Sequence, residues 1–198
     1  MGKCNDILMV SPLFNALVDS RENATKKQLI GKDFFVTIQP GDVDPLVSYR
    51  GQVPADWLDY NGHMNVAYYM HVFCHGTDGF LEFSGANQEY RAQTGCSTFV
   101  VENHVNYMRE LHKGAKMRVE TRLLGFDRKK LSYHHALFHD TEGYLAATSE
   151  WISVHVDLKR RQSCPMPDFL MDNLGKILEL QKERPLPLNI GRSIMSWG

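Results

Sequence analysis

Long hydrophobic runs are missing from this chain: no segment approaches the roughly 20 apolar residues that a bilayer-spanning helix needs. A membrane protein is therefore not expected. Charge of one sign is missing too, since 22 Lys and Arg stand against 23 Asp and Glu, a formal net charge of -1. With no basic excess to neutralise phosphates, neither nucleic acid nor an anionic membrane surface is an expected partner. Cysteine is sparse, with Cys4, Cys74, Cys96 and Cys164 widely spaced and no C-x-x-C pair. A chain of 198 residues is too large to need disulfide staples, so these read as reduced thiols in a cytoplasmic protein with no metal site. The first residues fit a secretion signal poorly, because one lysine precedes an apolar run broken by Ser11, Pro12 and Asn15. Gly2 is not followed by Ser or Thr at position 6, where Asp6 stands, so myristoylation is not expected. There is no internal repeat, no low-complexity tract and no G-x-S-x-G nucleophile elbow.

What is present is ordinary globular material, 43% hydrophobic and 11% aromatic. Residues 1–45 read as an N-terminal arm: a helical stretch from Asp6 to Asp19, a polar stretch from Ser20 to Lys27, and an apolar run from Phe34 to Ile38 closed by Pro40 and Gly41. A regular pattern occupies 46–167. Leu46 to Val53 reads as a strand and Pro54 to Met64 as a loop. Asn65 through Phe83 reads as about five turns of helix with Asn65 as N-cap. That helix is apolar on nearly all sides, the mark of a buried one. Gly76 and Gly79 inside it each cost roughly 1 kcal/mol against Ala, a cost offset by close approach of another backbone. Four strands follow, Thr98 to Tyr107, Lys116 to Phe126, Lys130 to His139 and Tyr144 to Asp157, joined by turn signals and expected to pair as an antiparallel meander. Strand, buried helix and four strands predict an α+β hot-dog fold: an antiparallel sheet of about five to six strands wrapped around a long central helix. The segment 168–198, with a helix from Asp168 to Lys182, is expected to be peripheral.

The chemistry concentrates in Asp59-Tyr60-Asn61-Gly62-His63-Met64-Asn65, which brings a carboxylate, an imidazole and two carboxamides to a helix N-terminus. Unpaired backbone N–H groups and the positive end of the helix dipole lie there. Such a place can hold a developing oxyanion, and a carboxylate beside it can act as general base or nucleophile. Asp and Asn ahead of a helix also serve simply as caps, and Gly62 as a turn residue.

The D-x-N-G-H-M-N motif followed by an aromatic helix resembles the acyl-CoA thioesterases of the 4-hydroxybenzoyl-CoA thioesterase group and the plant acyl-carrier-protein thioesterases, all hot-dog proteins. The resemblance runs from about Tyr49 to Pro167 and includes His104-Val105-Asn106-Tyr107-Met108-Arg109-Glu110-Leu111. The blocks WLDYNGHMNVAYYM and TGCSTFVVENHVNYMRE look particularly like the betainyl-CoA thioesterases of carnitine breakdown. The resemblance implies hydrolysis of a small acyl-CoA thioester, with Asp59 as the catalytic carboxylate and the backbone N–H of Val66 polarising the carbonyl. His63 and Asn65 would hold the acyl group or water. Tyr107 and Arg109 would lie near the pantetheine and phosphate path, with Asn61 also at the substrate site. It implies no cofactor, CoA entering only with the substrate, and a homodimer or dimer of dimers whose sites are built from both chains. A betainyl substrate asks for aromatic faces around its trimethylammonium group. The candidates are Trp57, Tyr60, Tyr68, Tyr69, Phe73 and Trp151, with Glu102 as counter-charge, although each also suits an ordinary core.

His71 and His75 lie one helical turn apart but lack the glutamate of H-E-x-x-H, and read as packed histidines. His134 and His135 point to opposite faces of a strand. The turns Arg128-Lys129-Lys130 and Lys159-Arg160-Arg161 could meet CoA phosphates or be merely solvated. Gly41 to Val47 echoes a hydratase signature, with Val47 where that motif has histidine. The remaining alternatives are a thioesterase for other short-chain or aryl acyl-CoA and a noncatalytic acyl-CoA binder.

Overall fold

The structure, a computed structural model, describes residues 45–187 and 190–191. The expected N-terminal arm and most of the hydratase echo lie outside the described residues. The strands are β1 (Leu46–Gln52), β2 (Cys96–Tyr107), β3 (Lys116–Phe126), β4 (Lys130–His139), β5 (Leu145–Asp157) and β6 (Gln162–Ser163). The helices are α1 (Val66–Ser84), α2 (Gln88–Thr94) and α3 (Asp168–Leu180), with a 3-10 turn at Ala55–Trp57. No helix among the described residues is long and apolar enough to cross a membrane.

All pairings are antiparallel, in the order β1-β3-β4-β5-β2, with β6 on β5. The expected meander therefore holds only for β3-β4-β5. β2 pairs with β5 instead, from Cys96 opposite Asp157 to Tyr107 opposite Ala147. The cause lies in the segment after β2, which is bonded elsewhere: the Met64 amide donates to Leu111 O at 2.7 Å and the Val53 amide to Ala115 O at 3.0 Å. This carries the chain across the end of the sheet, so that β3 emerges beside β1.

α1 lies against the sheet and buries Tyr69, Val72, Phe73, Phe80 and Phe83 into the core. Contrary to the expectation drawn from its composition, it is not covered on every side. Ala67, His71, Cys74 and Asp78 form an exposed stripe at helical spacing. Gly76 sits where a Cβ would come within 2.8 Å of Val119 Cγ1 and 3.3 Å of Ser48 Oγ, so the close approach is to strand side chains rather than to backbone.

α3 is not peripheral. Leu170, Leu174 and Ile177 belong to the main core, and Asn173 donates to Ser84 O at 2.9 Å. β1 reaches only as far as Thr121 on β3, and just beyond it the Gln181 side chain takes over. Its Oε1 accepts from the Leu123 amide at 2.9 Å and its Nε2 donates to Thr121 O at 3.0 Å. One carboxamide thus completes the strand edge in place of another residue of backbone.

Candidate active site

The loop between the 3-10 turn and α1 folds back on itself. Leu58 and Met64 pair as a bridge, the Asp59 amide donates to His63 O at 3.0 Å, and the Gly62 amide donates to Asp59 O at 3.0 Å. Gly62 closes this turn at φ 81°, in the left-handed region where glycine carries no Cβ penalty. Residues 59 and 63 therefore face each other across a five-residue loop. Asp59 Oδ1 accepts from the Asn61 amide at 2.8 Å and lies 3.9 Å from His63 Nδ1. A carboxylate held through one oxygen can present the other to water or substrate.

Asn65 is the N-cap, its Oδ1 accepting from the Ala67 amide at 3.0 Å. Its own amide donates to Trp57 O at 2.9 Å, fixing the loop to the helix start. Val66 is the first helical residue, so its N–H has no partner within the helix. The motif thus fills its capping role, and the loop that carries Asp59 is fastened through Asn65 to the start of α1.

Two residues that sequence reasoning did not single out complete the surroundings. Glu110 Oε2 stands 3.9 Å from His63 Nε2, and Glu110 Oε1 stands 3.3 Å from His112 Nε2. His63 is thereby set between two carboxylates. The segment containing Glu110 reaches the loop through the bridge of His63 with His112. A cleft of about 530 Å³ opens beside it, lined by Met108, Arg109, Glu110, His112, Glu142 and Tyr144. Arg109 lies over the Tyr144 ring at 3.9 Å, and the Tyr144 hydroxyl donates to Glu110 O at 2.9 Å.

The aromatic candidates do not converge within one chain. Trp57 and Tyr68 stack at 4.8 Å and 8° by the helix start. Tyr69 meets the edge of Tyr107 at 5.2 Å, and burial pushes its hydroxyl pKa up to about 12, so it stays a neutral donor. Tyr60 is 97% exposed and Tyr107 is half-exposed. Phe73 and Trp151 are core residues, stacked on His135 and Tyr133 respectively. Glu102 is exposed on β2.

His134 and His135 do face opposite ways. His135 bonds Thr77 of α1 at 3.0 Å, while His134 lies in register between Arg122 and Glu150. His71 and His75 are 3.1 Å apart through their Nε2 atoms. The two basic turns gather at the Cys96 end of the sheet, away from Asp59: the His155 amide donates to Lys129 O at 2.7 Å, and Arg128 pairs with Asp168 at 2.7 Å.

A sequence model of the thioesterase-like superfamily matches residues 53–174. The chain is 36% identical over 149 residues to the betainyl-CoA thioesterase of Pseudomonas aeruginosa, covering 75% of this chain and 94% of that protein. It is 41% identical over 150 residues to the L-carnitine dehydrogenase/betainyl-CoA thioesterase of Agrobacterium fabrum, matching 76% of this chain but 30% of that longer protein. Among solved structures, a Pseudomonas putida KT2440 protein superposes with a TM-score of 0.67 at 32% identity, covering 78% of this chain and 98% of that one. A Staphylococcus aureus protein solved in complex with CoA shares the fold, with a TM-score of 0.70 at 24% identity over 75% of this chain and 93% of that one.

Proposed function

The chain belongs to the thioesterase-like superfamily, and on that premise we propose that it hydrolyses a small acyl-CoA thioester, betainyl-CoA above others, to the free acid and CoA, as carnitine degradation requires. It is a thioester hydrolase of hot-dog fold. The observation that carries the reading is the pairing of Asp59 with His63, 3.9 Å apart, at the N-terminus of the central helix.

In one route Asp59 takes a proton from water as the oxygen adds to the thioester carbonyl. In the other, its carboxylate adds directly, and water then hydrolyses the mixed anhydride. Either way the carbonyl oxygen gathers negative charge beside the Val66 N–H and the positive end of α1. Collapse of the tetrahedral intermediate expels CoA as a thiolate, which leaves without a strong general acid. His63, with a carboxylate on each side, and Asn65 at the cap hold water or the acyl group. No cofactor takes part, and CoA enters only within the substrate.

A trimethylammonium group has no N–H to donate and is held by aromatic faces and nearby negative charge. Trp57 with Tyr68, Tyr60, and Tyr69 with Tyr107 are the faces within reach of the loop, and Glu102 is the charge on β2. The exposure of Tyr60 and Tyr107 supports completion of the pocket by a second copy. A cytoplasmic location fits a CoA-dependent reaction.

The reading is tested by thiol release from betainyl-, acetyl-, butyryl-, benzoyl- and long-chain acyl-CoA with wild type, Asp59→Asn and Asp59→Ala. The expected result is highest kcat/KM on betainyl-CoA and a loss of about 10²- to 10⁴-fold in both variants. Asp59→Asn keeps an oxygen to accept from the Asn61 amide, so its melting temperature should stay near wild type. Preference for another acyl group overturns the substrate and keeps the mechanism. A folded wild type that cleaves no thioester is a noncatalytic acyl-CoA binder.

A further inference from the structure

At the end of the sheet away from Asp59, Cys96 converges with His155 and Cys164, which lie far along the chain from it. Cys96 opens β2, His155 lies near the end of β5, and Cys164 follows β6. Cys96 Sγ and Cys164 Sγ are 3.9 Å apart, Cys164 Sγ and His155 Nδ1 are 3.3 Å apart, and the three ligand atoms all lie within 4.8 Å of one another. The two shorter separations, S···S and Cys164 S···N, match the edges of a coordination tetrahedron. With Zn–S about 2.3 Å and Zn–N about 2.0–2.1 Å, the S···S edge is roughly 3.8 Å and the S···N edge roughly 3.5 Å.

A second observation concerns the imidazole itself. Its other nitrogen, Nε2, is 2.8 Å from the Tyr90 hydroxyl of α2, which aims Nδ1 at the sulfurs. A metal-binding histidine is ordinarily oriented in this way through its second nitrogen. Without metal, Nδ1–H donates to the Cys164 carbonyl at 2.9 Å, so coordination replaces that hydrogen bond and moves the ring proton to Nε2, where it is donated to Tyr90 Oη. His155 is fully buried and Cys96 nearly so, and the Cys164 amide bonds His155 O at 3.0 Å, holding the two strands together.

We propose that Cys96, His155 and Cys164 form a three-ligand site for a thiophilic divalent cation, zinc first, with the fourth position left to water or an outside ligand. On binding, each thiol loses one proton to solvent and becomes a thiolate ligand, while His155 binds as neutral imidazole. The site clamps the start of β2, the end of β5 and the chain entering α3. It lies a β2 length, roughly 36 Å at 3.3 Å per residue, from the Asp59 end of the sheet, so its role is to fasten the fold and not to act on a thioester. No scan of sequence spacing would flag it, because the strand pairing alone brings the three ligands together.

The test uses the full chain, chelator-stripped and fully reduced, titrated with zinc against a chromophoric chelator, with cobalt as the spectroscopic probe. The expected result is one zinc per chain, about two protons released, a thiolate-to-cobalt charge-transfer band, and a melting temperature raised by zinc. Cys96→Ser and Cys164→Ser should each abolish the band, Cys74→Ser should keep it, and Tyr90→Phe should weaken zinc binding by about 10- to 100-fold. Asp59→Asn should bind zinc as wild type does, so loss of hydrolysis and loss of metal are read separately. No zinc uptake by the reduced wild type, or uptake that survives both serine variants, overturns the proposal. So does a reduced chain without metal affinity whose Cys96 and Cys164 join as a disulfide in air.

Discussion

His135 limits the pH range of the fold. It is fully buried between α1 and the sheet, with Nε2 3.0 Å from Thr77 Oγ1 and Nδ1 2.8 Å from Thr121 Oγ1. Thr121 in turn meets Ser48 Oγ at 2.5 Å, and aromatic rings of Phe73, Tyr133 and Trp151 close the space around the imidazole. Desolvation, and then the neighbouring His134, bring its pKa down from 6.5 to about 3. Below pH 6.5 the unfolded chain takes up a proton that the folded chain refuses, so the stability present above that pH is lost as pH falls toward 3. Each such group contributes a slope of about 1.4 kcal/mol per pH unit inside its window. His134, lowered to about 4 by burial and Arg122, adds to the slope above pH 4. Urea unfolding between pH 7.5 and 4.5 should show stability falling on the acid side. The fall should be shallower in His135→Gln, which keeps a donor and an acceptor without a titrating ring. An unchanged slope in that variant would remove His135 from the account.

At the scale of the element, the central helix depends on Gly76. A methyl group there meets Val119 Cγ1 at 2.8 Å, with Ser48 Oγ at 3.3 Å and His135 Cε1 at 3.4 Å beyond it. These atoms come from three neighbouring strands of a packed interior, so little can yield. Gly76→Ala gains roughly 1 kcal/mol of helix propensity and meets an overpacking cost of about 1–3 kcal/mol. The expected net is a lower urea midpoint at unchanged m-value; a midpoint above wild type would show that the layers are free to separate. Helix and strand limits were legible because local signals set them: Asn65 caps α1, and β3 and β4 run between the residues at which their patterns begin and end. α2 was not, since seven residues carry too little periodicity. Strand order was not, because the bond from Met64 to Leu111 that diverts the chain is long-range. In the same way the loop motif was readable as a place for chemistry, while Glu110 beside His63 emerged only once the segment after β2 was seen against that loop.

At the scale of the whole molecule, the outer edge of β2 is decisive. Among the described residues β2 has β5 on one side and no strand on the other. An unpaired edge of 12 residues with Val100 and Val101 exposed is a template for another strand. A second copy docking by two-fold symmetry would bury the same patch on both chains. Antiparallel pairing would run the partner's Cys96 end beside this chain's Tyr107 end, carrying the partner's basic turns toward the cleft at Glu110. The site of each chain would then be finished by its neighbour, and assembly and catalysis would fail together. Val101→Lys places a charge where the edges would meet. Light scattering after gel filtration should show the variant shifted to monomer, and thiol release should fall with the dimer fraction and recover as protein concentration rises. A variant that remains dimeric and active would move the interface away from β2, and a monomer with full kcat would make the site self-sufficient.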